Sequence, residues 1–371
     1  PYVYAPLDPL LQPLRDTSYN RMAYHNVPTI YPPGAQAIYL LSYLIAPGSL
    51  VALKGVFVLF DLTTCIALTY LLLRRKLDPA RVLIYAWCPL PIMEFAIQGH
   101  LDVLAITFTV LAMTSNLATW KGSRALTGLL IGLATLAKIY PLLFLVVVLR
   151  RRDWTLLLAC LATILLGYLP YLILGHGQVL GFFSTYADEH SRNSGLVPHV
   201  MTWINLRTGL FNSTAEHIIE VLLLGGTTLS MLYLRWRERL SMEAALLILL
   251  GTIFAISPHI FPWYTTALLP WVAVCLQPLW TRDAGLKPAG LAIAMAWYFP
   301  CIIVIHYLFD HEPDWTVYYL IVYDVVLAGV CIAACVGILH SLSQHIHSAA
   351  NISWRWLPQS EKLWPGKRDK R

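Results

Sequence analysis

The feature that most constrains the fold is a succession of long apolar stretches separated by short basic clusters. A membrane-spanning helix needs about 20 mostly apolar residues, and stretches of this kind fill most of the 371-residue chain. Charged residues make up only 12% of it, whereas a soluble domain carries roughly 25%. The sequence therefore predicts an all-α polytopic membrane protein. It excludes a soluble enzyme, a disordered chain and a secreted disulfide scaffold.

The apolar stretches predict ten spans, at 49–73, 79–98, 101–119, 125–149, 154–174, 215–234, 242–258, 263–280, 288–309 and 315–339. Residues 34–46 are too short to cross and lie between two proline-containing turns, so we expect an interfacial or re-entrant helix there. The stretch 125–149 is interrupted at Lys138-Ile139-Tyr140-Pro141, where the proline breaks the helix, and this predicts two half-helices. We expect residues 1–340 to form one membrane domain and 341–371 a basic cytoplasmic tail.

The basic clusters orient the spans, because cytoplasmic loops carry an excess of Lys and Arg. One orientation puts Arg74–Lys76, Arg150–Arg152, Arg235–Arg239 and the tail 367–371 inside. The same orientation places the unusual polar segments outside: loop 1–33, 99–102, 138–140, loop 175–213 and 258–264. Ionisable groups near membrane depth indicate function, so their convergence predicts one extracytoplasmic site. The net charge of +6 belongs to these loops, and we expect no nucleic-acid partner.

The seven cysteines all lie in apolar stretches without metal-ligand spacing. Buried thiols behave as small hydrophobes, so neither a disulfide framework nor a zinc site is indicated. We expect no cofactor, although outer carboxylates leave a divalent metal open.

The segment YAWCPLPIMEFAIQGHLD (85–102) concentrates ionisable groups in an apolar stretch. A kinked helix and a tight turn at Gly99, with Asp102 as the N-cap of the next helix, is the simplest interpretation. That interpretation leaves Glu94 and His100 unexplained, since burying such groups is costly. Glu94 lies deeper in its span than Asp102, so we expect Glu94 to be structural and Asp102 with His100 to belong to the site.

Two further segments carry candidate residues on the same face. Lys138 precedes the proline break, where it is either a snorkelling lysine or the partner of a phosphate. In SPHIFPWYTTALLP (257–270), His259 lies between two prolines. Trp263 and Tyr264 after it are typical of an aromatic belt.

Several motifs, in order over residues 1 to about 270, resemble bacterial polyprenol-phosphate-mannose-dependent mannosyltransferases of the GT-C superfamily. PYVYAPLDPLLQPLRD with VPTIYPPGAQ resembles their first outer loop, and WCPLPIMEFAIQGHLD their Trp-Asn-Pro-Leu to Gly-His motif. AKIYPLLFL, STYADEHSRNSG and SPHIFPWY resemble the lysine-Tyr-Pro break and the two later outer loops. The chain departs from the pattern at Cys88 and Leu101. The family's first helix and its acidic catalytic motif would lie upstream of Pro1.

The resemblance implies a GT-C-like bundle of about 10–11 transmembrane helices in the bacterial plasma membrane. It implies transfer of a hexose, mannose in that group, from a polyprenyl-phosphate donor to a glycan or glycolipid acceptor at the outer face. No nucleotide-binding fingerprint is present. A lipid or sugar transporter is the alternative, since broken helices and midplane charges also occur there.

The implied site residues fall into four groups. We expect Asp16, Asp102 and His100 to be catalytic, and Lys138, Tyr140, His259 and Arg192 to bind the donor phosphate. We expect His25, Asn26, Tyr31, Tyr186, Asn193, Trp263 and Tyr264 to bind the acceptor sugar, and Glu94 and Gly99 to be structural.

Overall fold

The computed structural model describes residues 1–16, 19–22, 24–175, 177–179, 181, 194–209, 213–282, 285–309 and 314–355. The helices are α1 (Pro33–Ile45), α2 (Leu50–Arg74), α3 (Pro79–Ala86), α4 (Pro89–Gln98), α5 (Asp102–Asn116), α6 (Ser123–Ala137), α7 (Leu145–Val148), α8 (Trp154–Leu174), α9 (Leu196–Thr208), α10 (Ser213–Trp236), α11 (Met242–Ile256), α12 (Leu269–Cys275), α13 (Pro288–Phe309) and α14 (Thr316–Ser341, continuing to Arg355). Short helical turns cover Pro9–Leu14, Tyr19–Arg21, Tyr140–Phe144, Pro262–Thr265 and Thr266–Leu268. Strands β1 (Trp280–Thr281) and β2 (Gly285–Leu286) pair antiparallel, with Trp280 opposite Leu286.

The protein is an all-α polytopic membrane protein, as predicted. Within the described residues, five helices are long and apolar enough to span a bilayer: α2, α8, α10, α13 and α14. The pair α3–α4 meets the same criterion as one span bent by 53°, and α5, α6 and α11 are shorter apolar helices. Every predicted span overlaps helical structure, although the one at 263–280 is helical only as far as Cys275. The number of 10–11 crossings stays a prediction.

The centre of the bundle is α5, where nearly every residue is buried. A helix that is apolar all round belongs inside a bundle, and α5 packs between α2 and α6. On its other side α6 packs against α8, and Gly128 and Gly132 permit the close approach. A Cβ added at Gly128 would lie 2.2 Å from the Leu156 carbonyl oxygen. Small residues four apart are the usual means by which membrane helices bring their backbones together.

The predicted helix break after α6 is confirmed. Helix α6 ends at Ala137, and Lys138 is extended, with φ −144° and ψ 146°. The chain then returns through the turn Tyr140–Phe144 and α7. The short helix α1 is present where residues 34–46 were predicted to form one. Gly34 at its start fits against the end of α6, since a Cβ there would lie 2.8 Å from the Leu136 carbonyl oxygen.

Contacts between distant segments divide the bundle into two ends. At one end, here called the basic end, Arg75 pairs with Glu243 at 2.6 Å, and Arg124 pairs with Asp153. Arg235 donates to the Val147 carbonyl at the same end. The other end, here called the site end, holds the chain turns that lead into α5 and out of α6. The three basic clusters within the described residues therefore share one end, as the orientation argument requires.

The predicted boundary between the membrane domain and a tail at residue 341 falls inside a helix, because α14 continues to Arg355. This boundary stays a prediction, and residues 356–371 lie outside the described part of the chain.

Candidate active site

An ion pair forms the centre of the site end. The Lys138 ammonium lies 3.3 Å from a carboxylate oxygen of Asp102, and the two side chains are 17% and 5% exposed. They meet because α5 and α6 are antiparallel neighbours: Asp102 opens α5 and Lys138 follows the last residue of α6. An acidic group at a helix N-terminus and a basic group at a C-terminus are both favoured by the helix dipoles.

This pairing corrects two expectations. Lys138 was interpreted as a snorkelling lysine or the partner of a phosphate, and in the structure it is paired with a carboxylate. Asp102 was open to interpretation as an N-cap, but Leu101 occupies that position and makes no side-chain capping bond. The Asp102 carboxylate faces Lys138. Sequence spacing carries no information on this contact, since the two residues are brought together only by the packing of α5 on α6.

Two tyrosine rings enclose the Lys138 ammonium. It lies 4.5 Å from the ring centroid of Tyr264 and 5.8 Å from that of Tyr31. Burial raises the pKa of the Tyr31 hydroxyl, with Lys138 lowering it and Asp102 raising it further. Tyr31 therefore stays protonated and can donate a hydrogen bond. Tyr140 lies two residues beyond Lys138 and packs edge to face on Phe144.

A stack of aromatic rings runs beside the ion pair. The His100 imidazole lies parallel to Trp263 with ring centroids 3.7 Å apart, and Trp263 stacks on Phe261 at 4.6 Å. His259 continues the series, parallel to Phe261 at 6.3 Å. His259 is buried and lies at the far end of the stack from His100. Trp263 and Tyr264 therefore pack inside the site, which an aromatic belt does not explain.

Burial lowers the pKa of His100 to about 4, with Asp102 raising it and Lys138 lowering it. The imidazole is therefore neutral at pH 7. Its Nε2 lies 3.5 Å from a carboxylate oxygen of Glu94, and its backbone N–H donates to the Glu94 carbonyl at 2.8 Å. Tyr307 donates to the other Glu94 oxygen at 2.8 Å.

The turn between α4 and α5 depends on Gly99. Its φ of +84° lies in the left-handed region, which disfavours residues with a Cβ. Glu94 is fully buried beneath this turn. A structural role, as predicted for it, requires a buried position of this kind. The structural role of both residues stays a prediction.

Loop 1–33 forms a second, separate cavity of about 460 Å³. It is lined by Leu7, Tyr19, Asn20, Tyr24, His25 and Asn26. His25 is fixed by a 2.7 Å contact between its Nε2 and the Tyr19 carbonyl oxygen. Asp16 is exposed, and its carboxylate lies beside Gly48. The structure thus places His25 and Asn26 together, in a cavity that neither Lys138 nor Asp102 lines.

A larger cavity of about 630 Å³ lies between α11, α12, α13 and α14. Its lining is almost entirely apolar and runs from Leu240 near the basic end to Phe254 and Ile260 near the site end. One of the lining residues, Ile260, lies between His259 and Phe261 of the ring stack in the chain.

Sequence reasoning missed three residues of the site. Phe261 lies within the quoted motif but was not singled out. Tyr307 reaches Glu94 from α13, 213 positions away, and no local signal indicates it. Lys54 lies in the apolar run that begins α2 and packs against Gly99. A cation in such a run was a usable signal. Tyr186, Arg192 and Asn193, which were predicted to belong to the site, lie outside the described residues.

Among the residues that the structure describes, no group of three or more His, Cys, Asp or Glu side chains is arranged to hold a metal ion.

Comparison with known proteins identifies one family. The family model for glycosyltransferase family 87 matches residues 29–258. The match covers Tyr31, His100, Asp102 and Lys138 and ends one residue before His259. No curated protein and no solved structure matches the chain.

Proposed function

Because the chain belongs to glycosyltransferase family 87, a GT-C-type family of membrane glycosyltransferases, we propose that its donor is a hexose carried on a polyprenyl phosphate, with mannose as the sugar. The acceptor is a glycan or a glycolipid. The site faces the extracytoplasmic side of a bacterial plasma membrane. No cofactor takes part.

One observation carries the choice of donor: an apolar cavity inside the membrane domain is lined by Ile260, which is next in the chain to rings of the site. Ile260 lines the 630 Å³ cavity, and its neighbour Phe261 stacks on Trp263 beside His100. A polyprenyl phosphate likewise combines a charged part, its phosphate headgroup, with an apolar part, its long hydrocarbon tail. Burying apolar chain surface contributes about 25 cal/mol for each Å², so the cavity favours a lipid donor over a nucleotide sugar.

Lys138 is proposed to hold the donor phosphate, together with Tyr31, which was predicted to bind the acceptor sugar but whose ring lies 5.8 Å from the Lys138 ammonium. The Lys138 ammonium has three donor hydrogens, of which one faces Asp102, so hydrogens remain for phosphate oxygens. A donor group aimed at the charge that develops on the leaving phosphate lowers the barrier to transfer. Tyr140, His259 and Arg192 complete the predicted phosphate-binding group.

Asp102 has two proposed roles. It orients the Lys138 ammonium, and it is the carboxylate next to that ammonium, placed to accept the proton of the attacking acceptor hydroxyl. A proton acceptor must lie within hydrogen-bond reach of that hydroxyl. Asp16 and His100 are the other proposed catalytic residues.

The cavity in loop 1–33 is proposed to bind a part of the acceptor away from the reacting hydroxyl, because Asp102 does not line it. Tyr24 is 74% exposed there, and Asn20 and Asn26 supply amide groups along the same lining. Aromatic faces with polar partners are the chemistry that suits sugars. His25, together with Tyr186, Asn193, Trp263 and Tyr264, belongs to the same proposed acceptor-binding group.

The test of the donor uses the purified full chain in lipid bilayers with radiolabelled sugar. We expect transfer from polyprenyl-phosphate mannose and none from a nucleoside-diphosphate mannose. Transfer from the nucleotide sugar alone would refute the proposed donor class. A polyprenyl-phosphate glucose serves as the control for the sugar.

The test of orientation uses single cysteines and a membrane-impermeant thiol reagent on intact cells. We expect a cysteine at Ser194 to be labelled and one at Arg151 to be spared. The opposite pattern would refute the extracytoplasmic site. A background with the seven native cysteines replaced supplies the control.

A further inference from the structure

Lys54 occupies an unusual position in the membrane domain. It lies on the fifth residue of α2 (Leu50–Arg74), within the apolar run LVALKGVF. A charged side chain inside a span is costly, so it is either drawn toward water along a lipid-facing surface or retained for function. The geometry distinguishes these two explanations.

The stem of Lys54 lies on protein backbone at the site end. Its Cγ and Cε lie 3.4 and 3.6 Å from the position that a Cβ on Gly99 would take, and Lys54 is half-buried. The ammonium, one bond beyond Cε, therefore lies at the turn that precedes His100 and Asp102. The stem of Lys54 therefore packs on protein at Gly99, and a lysine that only follows a lipid-facing surface would not make this contact.

The other charged groups near this turn have partners that are not Lys54. Lys138 is already neutralised by Asp102 at 3.3 Å, and the Glu94 carboxylate accepts from Tyr307 at 2.8 Å and faces His100. Among the described residues, the structure shows no ion pair, hydrogen bond or cation–π contact of the Lys54 ammonium. The positive charge available to an anion at this turn is therefore that of Lys54.

We infer that Lys54 is a second ligand of the donor phosphate, an inference that rests on the polyprenyl-phosphate donor proposed above. The phosphate gains a negative charge when its bond to the sugar breaks. Lys138, whose charge is neutralised by Asp102, donates hydrogen bonds to the phosphate, and Lys54 adds a net positive charge beside it. The two lysines come from α2 and the end of α6, the helices between which α5 packs.

The test compares Lys54→Met, which keeps the apolar stem and removes the charge, with Lys54→Arg, which keeps the charge. We expect Lys54→Met to raise the donor KM and the inhibition constant of added polyprenyl phosphate by the same factor, about tenfold or more, as for a charge-assisted hydrogen bond. Lys54→Arg should recover most of both. Lys121→Met is the matched control, because Lys121 is exposed between α5 and α6 at the basic end.

Each outcome decides the inference. Unchanged KM and inhibition constants in Lys54→Met, with normal turnover by the wild type, would overturn the role of Lys54 alone. A wild type that does not use a polyprenyl-phosphate sugar would overturn both proposals. If Lys54→Met lowers the melting temperature, Lys54→Gln provides the same charge removal with a polar tip. A selective rise in its donor KM supports the inference, and wild-type kinetics overturn it.

Discussion

Removing Lys138 alone should destabilise the protein more than removing Lys138 and Asp102 together. In Lys138→Met, the Asp102 carboxylate stays buried, with 5% of the side chain exposed, and loses its charge partner. In Lys138→Met/Asp102→Asn, no net charge is left in that place. The pair therefore allows a double-mutant cycle in which the double variant regains stability relative to Lys138→Met but does not regain activity.

The magnitude follows from the geometry. A separation of 3.3 Å corresponds to an attraction of about 5 kcal/mol at an effective dielectric constant of ~20, and desolvation of both groups offsets much of it. Breaking a buried pair by removing one partner costs ~3–5 kcal/mol. Since Lys138 is 17% exposed, we expect about 3 kcal/mol for Lys138→Met. The double variant should lose about 1 kcal/mol, within the usual range for a single substitution.

The assay is reversible unfolding in mixed micelles, combined with sugar transfer in bilayers. We expect a coupling free energy of about 2 kcal/mol or more between the two positions, whereas turnover is lost in both single variants and in the double variant. Additive stability losses would refute the ion pair. A stable double variant with wild-type turnover would refute its role in catalysis. Lys121→Met again serves as the surface control.

Three further predictions follow from other contacts. The pKa of His100 in the folded protein is lowered to about 4, so protonation of this residue opposes folding, and thermal stability should fall as the pH drops from about 6.5 toward 4. His100→Asn should weaken this pH dependence. An unchanged pH profile of stability in that variant would contradict the lowered pKa of His100. Gly132→Leu should lower the melting temperature markedly, since a Cβ at that position would lie 2.7 Å from a side chain of α8. Gly225→Leu should not lower it, because a Cβ at Gly225 has no neighbouring atom within 4 Å. Glu94→Gln should keep an acceptor for the Tyr307 hydroxyl and most of the stability, while Glu94→Leu removes that acceptor and should lose about 1–3 kcal/mol. Equal stabilities of the two variants would argue against the structural role.

Much of the membrane architecture was predictable because it depends on local properties of the chain. Span length, hydropathy and proline are read from neighbouring residues, so the helix break after Ala137 and the short helix Pro33–Ile45 were both predicted correctly. The shared end of the basic clusters was also predictable, since each crossing reverses direction. Boundaries were less certain, and the span predicted at 263–280 consists of helical turns that end at Cys275.

The polar residues of the site were recognisable in the sequence because burying an ionisable group in an apolar stretch is costly and indicates a role for that group. Lys138, Asp102, His100 and Glu94 were found in this way. Their partners were not. Whether Lys138 met a phosphate, a lipid interface or a carboxylate depended on which helix end lay beside it.

Only the tertiary structure decided those partners, since contacts across a helix bundle depend on which helices are neighbours and on their relative rotation. The packing of α5 on α6 joined Asp102 to Lys138, and α13 brought Tyr307 to Glu94. The same packing placed the stem of Lys54 in contact with Gly99. The sequence by itself determined that these groups would lie in a membrane at one end of the bundle. Their pairing was set by close packing of apolar faces, which no local pattern of residues records.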